Sequence, residues 1–300
     1  MNVATPPSRG IMALLRLPYW MMTGGLALLT SFAITKGALN PNIALLAFLS
    51  MAFITSAGFS LNDYFDRESD AVIKPKRPIP SGALSLKQVV AISVLLFVVG
   101  LSLAALINQL SLIILLIDSI LLVVYSAFIK RKSGFAANIL VGILTGTAFL
   151  YGQAVTLGPD IISPMSLTLA SLSLYPIACG TIGGNILRDI LSLEGDSKVG
   201  YPTLPQEIGN TNAVKIAAVF FITTGVLAPL PYLLGQFTVY YLPLIMVWSI
   251  LLVYSSIRLV ASASTVQDIR KYERLITMSM ILLPLSLIIE ALSPIIEGLL

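Results

Sequence analysis

Histidine is absent from this sequence of 300 residues, and cysteine occurs only once, at Cys179. Without histidine, the chain lacks the side chain that most often shuttles protons near neutral pH and most often binds transition metals and haem. A single cysteine excludes an internal disulfide. We therefore expect any bound metal to be a hard cation held by oxygen atoms, and we expect no haem.

Charge is also scarce, since Asp, Glu, Lys and Arg make up 11% of the chain whereas 57% of its residues are hydrophobic. Soluble domains contain about a quarter charged residues. This composition, with a mean hydropathy of +0.93, indicates an integral membrane protein. The net charge of +4 is better explained by basic loops that set membrane topology, so we expect no nucleic-acid partner.

Apolar runs long enough to cross a bilayer as helices recur along the whole chain. They predict an all-α, polytopic membrane protein with about nine transmembrane helices in a single domain, residues 1–300. The first run is too long for a signal peptide, so we expect it to be the first span. The predicted spans cover residues 11–36, 43–62, 87–107, 110–128, 136–157, 164–186, 212–233, 237–258 and 275–298.

The basic residues are divided unequally between the two sets of loops. Of 18 lysines and arginines, 17 lie in one set of alternate loops or at the adjoining span ends, and only Lys36 lies in the other set. Basic loops are usually cytoplasmic. The pattern predicts a cell-membrane protein with a cytoplasmic N-terminus, an external C-terminus and its polar site on the cytoplasmic face.

Two loops on the basic side are long and carry charges of both signs. The first begins NDYFDRESD at Asn62, and the second begins NILRDILSLEGD at Asn185. Both run from the end of an even-numbered span through spaced carboxylates and a lysine to a turn with proline. The pattern favours an internal repeat of spans 2–5 and 6–9, and the alternative is a coincidence of two amphipathic loop helices.

The first loop places oxygen-bearing side chains on one face of a helix. At 100° per residue, Asn62, Asp63, Asp66 and Asp70 lie within about 100° of one another. Carboxylates packed this closely repel one another unless cations lie between them, and Mg²⁺ prefers such ligands together with phosphate oxygens. The alternative is a solvated loop whose acids balance neighbouring Lys and Arg.

The second loop has the same pattern, because Asn185, Ser192 and Asp196 lie within about 60° of Asp189 on an ideal helix. Glu194 reaches this face only if the helix unwinds at the next residue, a glycine. Two such loops, each beginning at the end of an apolar span, favour a functional site over a solvated surface.

Basic residues follow both acidic clusters, and the sequence offers no histidine-based nucleophilic triad. This combination indicates a site that handles charge, and a diphosphate suits it because metal ions and cations can share the phosphate oxygens. Asp118 and Glu290, within spans 4 and 9, receive no role. The basic residues near the motifs are Arg67, Lys74, Lys76, Arg77, Lys130, Arg131, Lys132, Arg188 and Lys198.

The first loop resembles a motif of the UbiA superfamily of intramembrane prenyltransferases. Residues 62–70 match the pattern N-D-x-x-D-x-x-x-D at every defined position, and the RPIPSG run at 77–82 is also similar to the family. Residues 188–196 resemble its second motif, although Ser192 stands where many members carry Asp. The segment from Tyr125 to Lys130, with Asn138, is similar to a further family pattern.

The resemblance implies nine helices around a central cavity, with a cytoplasmic polar cap and a side opening to lipid. It also implies transfer of an isoprenyl group from a polyprenyl diphosphate donor, with two Mg²⁺ ions. The implied metal ligands are Asn62, Asp63, Asp66, Asp70, Asn185, Asp189, Glu194 and Asp196. The implied diphosphate contacts are Arg67, Lys76, Arg77, Lys130, Arg131, Arg188, Lys198, Asn138 and Tyr125. Asp66, Asp70, Asp189, Asp196 and Lys130 are the implied catalytic set.

The acceptor is less constrained. The PKRPIPSG continuation, without a T-A-N-R-P insertion, resembles archaeal members that prenylate geranylgeranylglyceryl phosphate in ether-lipid synthesis. The alternatives are an aromatic acceptor such as 4-hydroxybenzoate or a naphthoate, a non-catalytic prenyl-lipid binder, and a transporter of phosphate compounds or cations.

Overall fold

The computed structural model describes residues 7–158, 169–200, 202–261 and 265–299, and every regular element in these ranges is a helix. The α-helices are α1 Pro7–Leu15, α2 Pro18–Ile34, α3 Pro41–Phe65, α4 Arg67–Ile73, α5 Leu86–Ala105, α6 Gln109–Val124, α7 Lys130–Lys132, α8 Gly134–Val155, α9 Leu169–Leu174, α10 Cys179–Val199, α11 Leu204–Ile208, α12 Asn210–Leu227, α13 Leu230–Leu233, α14 Leu242–Ala261, α15 Val266–Ser279, α16 Leu282–Ala291 and α17 Ser293–Leu299.

Three short segments of other helical types join some of these helices. A π-helical turn, Tyr125–Ile129, connects α6 to α7, and 3₁₀ turns cover Tyr175–Ala178 and Val239–Tyr241. Several long helices begin at a capping side chain. For example, the side chain of Asn40 accepts a hydrogen bond from the backbone N–H of Asn42 at 2.9 Å, just before α3.

The prediction of an all-helical membrane protein is confirmed. Within the described ranges, eight helical segments are long and apolar enough to cross a bilayer. They correspond to eight of the nine predicted spans, although the last covers 266–291 where 275–298 was predicted. At the sixth predicted span, 164–186, α9, a 3₁₀ turn and the start of α10 follow one another. Residues 164–168 of that span lie outside the described residues. The described eight are segments 8–34, 41–65, 86–105, 109–132, 134–155, 210–233, 239–261 and 266–291.

The polar loops do not follow ideal helices. The first acidic loop is divided, because α3 ends at Phe65 and α4 begins at Arg67. In the second loop, α10 continues through Gly195 to Val199, so the helix does not unwind at this glycine. It ends before Gly200, whose φ of +74° is the left-handed conformation that glycine adopts most easily after a helix.

Close helix packing depends on small side chains. On α8, a Cβ added at Gly152 would lie 2.6 Å from the carbonyl oxygen of Ala27 in α2. On α5, a Cβ at Gly100 would lie 2.8 Å from the side chain of Ile54 in α3. Small residues allow backbones to approach closely in membrane bundles, where van der Waals packing supplies much of the association energy.

The apolar core consists of two main clusters. One is built from the first half of the chain and includes Met51, Ile54 and Tyr151, which are almost fully buried. The other lies mainly in the second half and includes Phe221 and Trp248. Helices α2 and α8 bridge the two, because α2 packs against both α8 and α16. The chain therefore forms one continuous helical bundle over the described residues.

An ion pair joins the turn after α2 to α16 at the end of the bundle where α3 begins. Glu290, which is fully buried, pairs with Lys36. Its two carboxylate oxygens also accept hydrogen bonds from the backbone N–H and the hydroxyl of Thr238, at 2.9 and 2.7 Å. Glu290, to which the sequence assigned no role, thus binds two other parts of the chain, one at Lys36 and one at Thr238. Asp118 is buried on α6, beside Thr147 of α8.

We predict that Lys36→Met destabilises the protein, because it leaves the Glu290 carboxylate buried without its cation. Breaking a fully buried pair costs about 3–5 kcal/mol, and we expect roughly half of this because Lys36 is partly exposed. Thermal unfolding in detergent should show a lower Tm than in Lys215→Met, a control at an exposed lysine. The double variant Lys36→Met/Glu290→Met should recover most of the loss. An equal Tm for the two single variants would contradict this role.

Candidate active site

Three buried carboxylates mark the end of the bundle that is opposite to Lys36, which we call the polar end. Asp63 lies in the last turn of α3, Asp66 between the helices, and Asp70 in α4, and their exposures are 3%, 4% and 5%. The amide N–H groups of Asp66 and Asp70 each donate to the carbonyl oxygen four residues earlier, at 2.8 Å. The helical register therefore continues across the break, and the three side chains remain together.

Basic side chains from three different parts of the chain neutralise these carboxylates. Arg77 donates from Nη1 to Asp63 Oδ1 at 2.5 Å and to Asp70 Oδ2 at 2.9 Å, so it bridges two carboxylates. Lys130 pairs with Asp66. Arg16, which the sequence analysis did not single out, donates from Nη2 to Asp63 Oδ1 at 2.5 Å. Buried carboxylates stay ionised at acceptable cost only when they are paired in this way.

The first motif contains a buried oxygen atom that is available as a metal ligand. The side-chain oxygen Oδ1 of Asn62 is buried and has no hydrogen-bond partner. A buried oxygen without a hydrogen-bond partner lowers the stability of the fold by about 1–3 kcal/mol. Its retention beside three carboxylates therefore indicates that a ligand binds it. A hard cation that also binds Asp66 or Asp70 would satisfy it, and the chemistry of this donor set fits Mg²⁺.

The carboxylates alone do not form a complete metal site. Among the described side chains, no three acids, histidines or cysteines are gathered in an arrangement that could hold a metal ion. The guanidinium of Arg77 lies between Asp63 and Asp70 instead. A metal ion at this motif therefore requires Arg77 to move away from Asp70 and requires further oxygen ligands, which a phosphate would supply.

The second motif approaches the first from α10. Asp189 accepts a hydrogen bond at its Oδ2 from Nδ2 of Asn138 on α8, at 2.8 Å. Both line a small polar cavity of about 110 Å³, together with Tyr125 and Thr203. Lys130 also lines this cavity, and it is the residue that pairs with Asp66. One lysine therefore connects the two motifs in space.

Lys130 owes its position to the π-helical turn Tyr125–Ile129, which immediately precedes it. A π-helical turn accommodates one more residue than an α-helical turn, and such turns are frequent at functional sites. The turn lies beside the end of α3, which it contacts. It therefore directs the first residue of α7 toward the carboxylates.

Several basic residues that the resemblance assigned to the diphosphate contact other groups or face solvent in this structure. Arg67 pairs with the exposed Glu68 at 3.1 Å. Arg131 donates to the carbonyl oxygen of Phe65 at 2.5 Å, at the end of α3. Lys76 and Arg188 are exposed, and Asn185 is half-buried one turn before Asp189. The side chains of Glu194, Asp196 and Lys198 lie outside the described residues.

The polar end carries a positive surface. The pKa of Lys74 lies below its usual value, first because protein atoms displace part of its water and then because Arg77 and Lys130 carry like charge, with Asp70 acting in the opposite direction. Its side chain still reaches solvent. Crowded cations of this kind attract an anion with several charges.

An apolar cavity of about 420 Å³ opens at the side of the bundle, where Met21 and Met22 in its lining are largely exposed. Its walls come from α2, α8, the segment at the start of α10, α14, α15 and α16. The larger side chains in its lining are Met21, Met22, Leu29, Phe149, Trp248 and Met280. Such a space suits a hydrocarbon chain and offers few groups that could bind water.

Comparison with known proteins agrees with this geometry. Residues 23–282 match the model of the UbiA prenyltransferase family. The chain belongs to this family. Its membership shows that the protein is an intramembrane prenyltransferase, as the resemblance of the two acidic motifs implied.

Curated relatives of this family are similar over most of the chain. A digeranylgeranylglyceryl phosphate synthase of Natronomonas pharaonis is 37% identical over 234 residues, which are 78% of this chain and 81% of that protein. The synthase of the same name in Methanopyrus kandleri is 36% identical over 239 residues, which are 80% of this chain and 84% of that protein.

Solved structures show the same fold. A structure of digeranylgeranylglyceryl phosphate synthase has a TM-score of 0.80 at 27% identity, and the match covers 96% of this chain and 99% of that one. A UbiA homolog from Archaeoglobus fulgidus bound to GPP and Mg²⁺ has a TM-score of 0.69 at 20% identity, covering 95% of this chain and 99% of that one.

We predict that Gly134→Ala lowers prenyl transfer, because a Cβ there would lie 2.4 Å from the carbonyl oxygen of Pro202 and 2.7 Å from Cα of Thr203. The start of α8 must then shift, and it carries Asn138 and follows Lys130. A shift of about 1 Å at a catalytic site can reduce the rate by about a hundredfold, and we expect at least tenfold.

The measurement is initial-rate transfer from a radiolabelled prenyl diphosphate. Gly158→Ala is the matched control, since no atom lies within 4 Å of its added Cβ. Equal rates for the two variants would show that the contact between Gly134 and the segment at 202–203 does not position the site.

Proposed function

We propose that the protein transfers a geranylgeranyl group from geranylgeranyl diphosphate to the free hydroxyl of geranylgeranylglyceryl phosphate. The allylic C–O bond of the donor breaks and its electron pair leaves with the diphosphate. The acceptor oxygen forms an ether bond to the allylic carbon, and its proton passes to the released diphosphate. The choice of acceptor is supported by relatives named digeranylgeranylglyceryl phosphate synthase, eight of which are 32–40% identical.

The observation that carries the proposal is the meeting of both acidic motifs at Lys130. This lysine pairs with Asp66 of the first motif and lines a polar cavity with Asp189 of the second. A diphosphate that lies between the motifs would be within reach of Lys130 and Arg77. Both cations would exchange a carboxylate partner for phosphate oxygens, and they would stabilise the negative charge that grows on the leaving group.

The metal ligands on the first motif would be Asn62, Asp66 and Asp70, and on the second Asp189 with Asp196. Asn62 supplies the buried oxygen that has no partner. Two Mg²⁺ ions bound there, one at each motif, would add positive charge that stabilises the departing diphosphate. Mg²⁺ bound with GPP in the Archaeoglobus fulgidus homolog supports this assignment.

The remaining residues are assigned by their position. Asn138 holds the carboxylate of Asp189, and Tyr125 closes the same polar cavity. Asp63 acts as a partner for arginines, since its Oδ1 accepts from both Arg16 and Arg77. We retain Arg67, Lys76, Arg131 and Arg188 only as contributors to the positive surface.

The apolar cavity would hold isoprenoid chains while the polar end holds the phosphates. Its lining by residues such as Met21, Phe149 and Trp248 would keep water from the allylic cation, which water would otherwise quench. We further propose that the polar end faces the cytoplasm, because 17 of the 18 basic residues lie on its side of the predicted spans.

The experiment that tests the proposal measures transfer of radiolabelled geranylgeranyl diphosphate by the purified full chain. Geranylgeranylglyceryl phosphate and 4-hydroxybenzoate are supplied in parallel, each with Mg²⁺ or with EDTA. We expect a product only with the lipid acceptor and only with Mg²⁺. A product with 4-hydroxybenzoate alone would make the protein an aromatic prenyltransferase, and equal rates in EDTA would remove the metal role.

We predict that Asp66→Asn and Asp70→Asn each reduce transfer by about a hundredfold or more, because each removes an anionic ligand at the leaving group. The folded protein should still elute as one species in detergent. Glu68→Gln is the matched control, since it removes the same charge from α4 at a side chain that is 85% exposed. Nearly full activity in both aspartate variants would contradict the assignment.

A further inference from the structure

Arg16 is held in an unusual backbone conformation. It lies between α1 and α2 with a φ of +49°, in the left-handed region. For a residue other than glycine this conformation costs about 1–2 kcal/mol, so surrounding contacts must maintain it. The side chain makes such contacts, because its guanidinium lies 4.4 Å from the ring centre of Phe59 and 2.5 Å from Asp63 Oδ1.

The cation of Arg16 shares its carboxylate with a second arginine. Asp63 Oδ1 accepts from both Arg16 and Arg77, each at 2.5 Å. A single carboxylate therefore faces two guanidinium groups, and Arg77 is paired with Asp70 as well. Arg16 is the cation of this group that comes from the N-terminal side, since Arg77 and Lys130 follow the acidic motif in the chain.

The position of Arg16 relates the polar end to the apolar cavity. Helix α2 begins two residues after it, and Met21 and Met22 in the first turn of α2 already line the cavity. Leu26 and Leu29 extend the same wall along the helix. A lipid whose chain follows α2 through the cavity would therefore present its head group next to Arg16.

We propose that Arg16 binds the phosphate of the acceptor lipid and so selects a phosphorylated acceptor. The proposal rests on the function proposed above and assigns a separate anion site within it. The donor diphosphate binds Arg77 and Lys130. The acceptor phosphate replaces Asp63 as the partner of Arg16. A guanidinium can bind two phosphate oxygens at once, which fixes the head group and places the neighbouring glycerol hydroxyl toward the reacting carbon.

The carboxylate of 4-hydroxybenzoate has a related charge, so the test must separate the two sources. The structure favours the lipid, because the α2 wall that begins near Arg16 runs from Met21 to Leu29 along an apolar cavity of about 420 Å³, which has room for a hydrocarbon chain. The carboxylate of an aromatic acid could bind Arg16, but such an acceptor has no hydrocarbon chain to occupy the cavity along α2.

The experiment compares steady-state transfer by the full chain and by Arg16→Gln, Arg16→Lys and Arg9→Gln. Arg9 is the matched control, since it is an exposed arginine on α1. Three titrations are made, with geranylgeranylglyceryl phosphate, with its dephosphorylated analogue and with geranylgeranyl diphosphate. The fourth arm replaces the lipid by 4-hydroxybenzoate.

We expect Arg16→Gln to raise KM for the phosphorylated acceptor about tenfold or more, which is the loss of one charge-assisted contact. KM for the donor and the rate with the dephosphorylated analogue should stay within about twofold of the control. Arg16→Lys should be intermediate, because it keeps the charge and loses the two-pronged contact. A merely structural role would change all of these parameters together.

Other outcomes overturn the proposal. An unchanged acceptor KM in Arg16→Gln, or a rise in the donor KM alone, removes Arg16 from the acceptor site. If Arg16→Gln cannot be isolated as a folded protein, Arg16→Lys decides, and an acceptor KM equal to that of the wild type contradicts the proposal. Failure of the wild-type chain to use geranylgeranylglyceryl phosphate, with transfer to 4-hydroxybenzoate, overturns the proposed function itself.

Discussion

The neutralisation of three buried carboxylates by three cations, two of them distant in sequence, is the constraint on which the polar end of this protein depends. Asp63 and Asp66 lie at the end of a membrane helix, where an unpaired charge is costly. Their partners Arg16 and Lys130 are separated from them by 47 and 64 residues of sequence. The network therefore fixes the tertiary structure of the polar end. Any substrate that replaces these pairs must supply equivalent charge.

The same network explains how a charged reaction can take place next to hydrocarbon. The pairs at the polar end let α3 carry its carboxylates below the surface, so that the phosphates of a substrate meet them close to the apolar cavity. The walls of the cavity come from long helices such as α2, α8 and α14, which are held by close packing.

Much of the fold and part of the site could be predicted from the sequence. Hydropathy located the membrane helices because each is a local apolar run, and the motif around Asp66 was visible as a fixed spacing. The break of the helix after Phe65, the pairing of Arg16 with Asp63 and the unpartnered oxygen of Asn62 could not be predicted. Each depends on contacts across the bundle, and Arg16 in the sequence is only one of many basic residues that topology explains. The internal repeat and the roles of the second motif stay predictions.

The π-helical turn before Lys130 makes the site sensitive to the insertion or deletion of a single residue. Because each residue turns a helix by about 100°, one residue more or fewer between α6 and α7 points every later side chain in a different direction. A single-codon deletion within Tyr125–Ile129 would restore a regular α-helix and turn the lysine away from Asp66. The length of this one turn thus sets the direction in which the Lys130 side chain points. The link between the two acidic motifs depends on that direction and not on the presence of a lysine alone.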